Sequence, residues 1–208
     1  MSPDSVEQTT CCIVGGGPAG ALLSLLLARK GIRVNLLEGH KDFDLEFRGD
    51  TLHPSAMEIL DEIGLADSVL QLPHTKLHQL TLRTKTDSFT MVNFSVLKTR
   101  FPYITLMPQA RFLEFITKQA QKYPGFKLLM GAHARELIME NGICRGVRYQ
   151  DSNEEEHELR ALLTVAADGR FSRLRKLAGL EPVKSSPDRK STRLNSSHSR
   201  ASRMPSSA

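Results

Sequence analysis

The chain has 208 residues, 40% of them apolar and 25% charged, with a formal net charge of +5. This is enough for one ordinary soluble domain with a buried core, and no apolar run approaches the roughly 18 residues of a membrane span. The charge is uneven: the last 21 residues carry +4 and the other 187 only +1, so a nucleic-acid partner would rest on the tail alone and is not expected.

Residues 1–10 are polar and lack the basic start and apolar stretch of a signal peptide, which makes the cytoplasm the expected compartment. Thr10 to Val14 form a short β-type run. Cys11 and Cys12 within it, like Cys144 later, show no metal or disulfide spacing, so they are expected to be small buried or half-buried residues. The turn Gly15-Gly16-Gly17-Pro18-Ala19-Gly20 follows, and Ala19 to Lys30 is strongly helix-forming with Gly31 at its stop. Ile32 to Leu37 is a second apolar strand. The whole is a β-α-β unit of about 30 residues, which requires parallel strands in a buried sheet.

Glycines at 15, 17 and 20 make a G-x-G-x-x-G pattern between a strand and a helix, the context in which it signals a dinucleotide site. Gly15 permits the tight turn, Gly17 lets backbone approach a pyrophosphate, and Gly20 lets the helix pack on the sheet. Pro18 suits the first helical turn, whose free N–H groups and dipole attract an anion. Glu38 ends the second strand, 18 residues after Gly20, where a carboxylate binds ribose hydroxyls; the plain alternative is a surface glutamate.

A helix is predicted from Pro54, with Met57, Leu60 and Ile63 on one face and Gly64 as its stop. His53 before it is either a base or, more simply, a turn residue. Between Lys76 and Phe94, "HQLTLRT" and "SFTMVNF" alternate as half-buried antiparallel strands do. "QARFLEFITKQAQKY" is helical. The strands "FKLLM", "ARELIME" and "CRGVRYQ" follow, the last two joined by the hairpin pair Asn141-Gly142. "LRALLTVAADG" is a strand ending in a turn, and "SRLRKLAG" a short helix. Asp168-Gly169 alone is an ordinary turn dipeptide, but D-G-x-x-S-x-x-R after a strand, with Ser172 and Arg175, is a longer pattern. The fold class expected is α/β: a Rossmann-like parallel sheet with an antiparallel β layer. No Ser-His-Asp set, paired carboxylates or metal cluster stands out, as where a cofactor performs the reaction.

Over about residues 8–182 the sequence resembles the single-component flavoprotein monooxygenases of the p-hydroxybenzoate hydroxylase type. The resemblance implies that Gly15, Gly17 and Gly20, with Pro18 and Ala19 between them, and Glu38 bind the ADP part of FAD. "ADGRFSRLR" is similar to the family's second motif and implies Asp168, Gly169 and Arg175 near the FAD pyrophosphate and the NAD(P)H path. "FRGDTLHPSAMEILDEIGL" implies Arg48 on the FAD diphosphate. "PQARFLEFI" implies Gln109 at the flavin side, with Arg111 its competitor and a helix-capping role the alternative.

The activity implied is reduction of FAD by NADPH or NADH as a transient co-substrate, addition of O2, and hydroxylation of an aromatic or related small organic substrate. No catalytic side chain is named, and neither the substrate nor the oligomeric state is legible. The alternatives are a non-catalytic dinucleotide-binding module with a basic tail, and a flavin-dependent reductase or halogenase of the same fold.

Residues 1–187 are expected to be a partial FAD-binding domain, with 76–100 part of a substrate-side β layer. The family continues well beyond the Asp-Gly motif, so the chain is expected to be an N-terminal half without turnover of its own. The tail 188–208 could be a basic arm or a disordered linker. It also resembles a translated sequencing adapter, matching Asp188 to His198 and again Ser202 to Ala208 around a variable gap. A non-native tail is therefore the expectation.

Overall fold

The apolar run at the start of the chain becomes β1 (Glu7–Val14), and the alanine- and leucine-rich stretch after the glycines becomes α1 (Pro18–Arg29). The computed structural model describes residues 7–44 and 50–182. Arg48 and the tail 188–208 therefore lie outside the described residues. Next come β2 (Val34–Glu38), β3 (Thr51–Leu52), α2 (Pro54–Glu62) and α3 (Ala66–Val69). Three strands follow, β4 (Thr75–Leu77), β5 (Gln79–Arg83) and β6 (Ser88–Asn93), and then a 3-10 turn at Phe94–Val96. The rest is β7 (Ile104–Leu106), α4 (Gln109–Ala120), β8 (Phe126–Met130), β9 (His133–Glu140), β10 (Ile143–Gln150), β11 (Glu156–Ala166) and α5 (Arg173–Leu177).

The main sheet has the order β8-β2-β1-β11-β10-β9. β8, β2, β1 and β11 run parallel, then β10 pairs antiparallel to β11 and β9 antiparallel to β10. The β-α-β expectation holds, and the antiparallel layer is continuous with the parallel sheet through β11. That strand begins at Glu156, three residues before the run "LRALLTVAADG" in which it was expected. Asn141 and Gly142 both take positive φ (50° and 78°), the backbone of a tight hairpin, as their sequence predicts.

Alternate residues of β1 face opposite cores. Cys11 and Ile13, with Leu36 of β2, pack against Leu25 and Ala28 of α1 and Leu113 and Ile116 of α4. Cys12 and Val14, with Leu37, pack on the other face against Ala134 of β9, Val147 and Tyr149 of β10 and Leu159 of β11. Burial pushes the Cys12 thiol up to about 12, so it behaves as a small apolar residue.

One expectation needs correction. β5 and β6 pair antiparallel, but they are not half-buried: Leu82 is 53%, Phe89 56% and Met91 62% exposed. The period of two was read correctly, but among the described residues β5 and β6 form a two-stranded sheet on their own. An isolated hairpin of this kind is marginal in water.

Candidate functional site

A cleft of about 580 Å³ opens at the C-terminal ends of β1, β2 and β11. β1 leads through α1 to β2 on one side, while β11 joins it on the other, so the strand order reverses there. Open α/β sheets bind ligands at such a point. The glycine turn, Glu38, Gln109 and the Asp168-Gly169 turn all line this one cleft. Residues about 150 positions apart thus meet because three parallel strand ends meet.

The four glycines of the turn have different reasons for lacking a side chain. Gly15 has φ +108°, and a Cβ there would stand 2.4 Å from the Ala167 carbonyl oxygen. A Cβ on Gly20 would stand 1.9 Å from the Gly15 carbonyl oxygen and 3.3 Å from the Ala167 side chain. The helix therefore closes on its own turn as well as on the sheet. Gly16, at the variable position of the pattern, lies tight against Glu38: a Cβ would stand 2.9 Å from its Oε2 and 3.0 Å from its Cβ.

Gly17 is the exception. Nothing lies within 4 Å of its would-be Cβ, and its φ of −66° suits any residue. The fold itself gives no reason for glycine there, whereas a group lying against the backbone would. Gly17 is also the N-cap of α1, with no side-chain cap, Pro18 just inside the helix and no acidic residue in the first turn. The helix presents free N–H groups and the positive end of its dipole toward the cleft. These features fit an anionic dinucleotide.

Glu38 faces that helix end from the tip of β2 and is only 9% exposed. Oε2 accepts the Gly16 N–H at 2.7 Å, and Oε1 accepts the His40 N–H at 3.0 Å and lies 2.6 Å from His40 Nδ1. Burial alone would raise this pKa. The bonds from the His40 backbone, its ring and the Gly16 N–H, with the charge of a protonated His40, outweigh it and hold the carboxyl below its usual range.

A depressed folded pKa means that Glu38 contributes stability above the unfolded carboxyl value of about 4.3. That contribution is lost as pH falls through the lower folded value. Glu38→Gln is accordingly expected to be less stable than the parent at pH 7, with the gap closing as pH drops from about 5 toward 3. Urea titrations across that range check this; a gap that widens toward acid would contradict it.

Asp168 lines the cleft, but its carboxylate turns into its own helix. Oδ1 accepts Ser172 Oγ at 2.5 Å, and Oδ2 accepts the N–H groups of Arg173 and Leu174 at 2.7 and 3.1 Å. Ser172 in turn caps the Arg175 N–H. The long D-G-x-x-S-x-x-R pattern is thus a self-capped turn that exposes Gly169, at φ +82°, to the cleft. The Arg175 side chain donates to the Arg170 carbonyl and lies outside the cleft lining, in a neighbouring pocket.

Gln109, the first residue of α4, lines the cleft, while Arg111 is exposed and does not. The N-cap of α4 is Pro108, so Gln109 is not a side-chain cap. His53 is the N-cap of α2 with no side-chain cap bond, and it lies outside the cleft lining, as a turn residue would. Sequence reasoning missed Gly16, His40, His133 and Arg135, all on the cleft wall. The run of three glycines was a usable signal for the first; no local pattern marked the others. Asp151, Glu155 and His157 gather their ligand atoms within 4.8 Å on the β10–β11 turn, and none of them lines the cleft.

Residues 8–203 match the model of a family described as FAD binding domain. The chain is 33% identical over 180 residues to 6-methylpretetramide 4-monooxygenase of Streptomyces rimosus, covering 86% of this chain and 42% of that protein. It is 32% identical over 167 residues to squalene monooxygenase 1,2 of Brassica napus, covering 79% of this chain and 32% of that one. The chain therefore spans less than half the length of these relatives. Among solved structures, p-nitrophenol 4-monooxygenase from Pseudomonas putida superposes with a TM-score of 0.74 at 24% identity, covering 84% of this chain and 44% of that one.

Proposed function

We propose that this chain, which belongs to the FAD binding domain family, forms the nucleotide-binding part of an FAD-dependent monooxygenase. Such an enzyme would use NADPH or NADH and O2 to hydroxylate an aromatic or related organic substrate, in the cytoplasm. The observation that carries the reading is the bare backbone at Gly17 beside an uncapped helix end, facing a buried carboxylate across one cleft. The monooxygenase relative at 33% identity supports the reaction class.

Each residue has a physical task in this reading. The free N–H groups at the start of α1, at Ala19 and Gly20, take the pyrophosphate, which Gly17 lets close to the backbone. Glu38 accepts the adenosine ribose. Its bond from the Gly16 N–H ties the ribose side of the cleft to the phosphate side. Asp168, by capping α5, fixes the turn that presents the Gly169 backbone to the cleft. Gln109 reaches in from the head of α4, toward the flavin side. When bound, FAD supplies the redox chemistry, hydride acceptance and activation of O2, while the chain supplies orientation and electrostatics. Arg48 remains a proposed diphosphate contact. The exposed β5–β6 hairpin, within the expected 76–100 layer, is the proposed substrate side.

The reading is tested with a longer chain that joins residues 7–182 to the remaining length of such a relative. It is expected to bind FAD and to oxidise NADPH or NADH rapidly only when an organic substrate is present, with O2 consumed. Equal oxidation without any substrate would favour a reductase. No flavin binding would overturn the proposal. The 208-residue chain alone is expected to bind ADP without turnover.

A further inference from the structure

We propose that His40 determines how many ribose hydroxyls Glu38 can accept, because its imidazole fills one of the two carboxylate oxygens. The inference rests on the reading of Glu38 as the ribose ligand. A carboxylate oxygen offers about two acceptor sites. Oε1 has both taken, by the His40 N–H at 3.0 Å and by the His40 ring at 2.6 Å. Oε2 has one taken, by the Gly16 N–H at 2.7 Å. One acceptor site remains, whereas the cis-diol of a ribose offers two donors. With the ring in place Glu38 takes one hydroxyl, and the second must displace the ring from Oε1.

The ring is the partner free to leave. The His40 side chain is 44% exposed, and the Glu38 side chain only 11%. Both backbone N–H bonds keep the carboxylate in place after the ring swings out. His40 is thus a positioning residue, acting on the nucleotide through Glu38. The ring donates from Nδ1, since an ionised carboxylate only accepts, and a protonated ring grips Oε1 most tightly. Competition with the ribose is therefore strongest at low pH. The other charged groups on this side of the cleft are His133, whose ring lies against Gly39, and Arg135 and Arg173 on the cleft wall; Lys41 and Asp42, next in the chain, are outside the cleft lining.

The test measures ADP, 2′-deoxy-ADP and 3′-deoxy-ADP binding by calorimetry to the 208-residue chain and its variants, at about pH 6 and about pH 8. The parent is expected to bind ADP and the better of the two deoxy analogues within about twofold of each other. His40→Ala is expected to bind ADP about five- to tenfold more tightly than the parent and to lose a similar factor for either missing hydroxyl. Its advantage should be larger at pH 6 than at pH 8, and His133→Ala should keep the parent's pH profile.

The inference is overturned if His40→Ala binds ADP no more tightly than the parent. A parent that already loses affinity for both deoxy analogues also overturns it, as does a pH dependence that disappears in His133→Ala. Glu38→Gln separates the two levels. If it leaves ADP binding unchanged, the ribose role of Glu38 itself falls; if it weakens ADP while His40→Ala does not tighten it, only the role of His40 falls.

Discussion

Gly17→Ala is expected to weaken FAD or ADP binding by about 100-fold, or about 2.8 kcal/mol, while leaving the fold intact. The protein has room for the new methyl, with no atom within 4 Å and an ordinary φ of −66°. The stability cost is that of a poorer N-cap, about 1 kcal/mol. The methyl would stand where a pyrophosphate must approach the first N–H groups of α1, so it removes the ligand's closest contact. Titration with FAD together with urea denaturation measures both effects. Unchanged affinity would mean that the phosphate does not lie on this turn.

The same substitution three residues later should do the reverse. Gly20→Ala puts a Cβ 1.9 Å from the Gly15 carbonyl oxygen. Helix propensity alone would favour alanine in this position by about 1 kcal/mol. The clash dominates, because Gly15 has no freedom to yield. It sits at φ +108° against the Ala167 backbone, and its N–H is bonded to the Leu37 carbonyl at 2.8 Å. A loss of at least about 3 kcal/mol is expected, in the range reserved for overpacked sites. Urea denaturation of the apo protein reads it directly; a Gly20→Ala chain as stable as the parent would show that the turn can relax.

The contrast bears on what the sequence could reveal. The β-α-β unit, the glycine turn, Glu38 and the Asp168 turn were legible because each is a local signal: a strand, a breaker and a helix in a fixed short order. Their meeting in one cleft was also legible, since parallel strands place their C-terminal ends on one side. Gly16 was read as a variable position, because its constraint comes from a side chain 22 residues away. His40 and His133 carried no pattern, and their placement depends on the β2 tip and the start of β9 coming together. The exposure of β5 and β6 was hidden for a similar reason. Alternation says that a strand has two unlike faces, but not whether anything covers either.

β11 carries a consequence for the order in which the molecule forms. It pairs parallel to β1 from one end of β1 to the other, Glu7 opposite Leu159 and Val14 opposite Ala166. On a ribosome, β1 emerges about 150 residues before that neighbour. In the interval the edge of Thr9 to Val14 has open N–H and C=O groups and two apolar faces, the kind of edge that recruits strands from other chains. Contacts of this sequence separation also slow folding. The β-α-β unit that announces the nucleotide site is made long before β11, and it is among the last parts to be sealed.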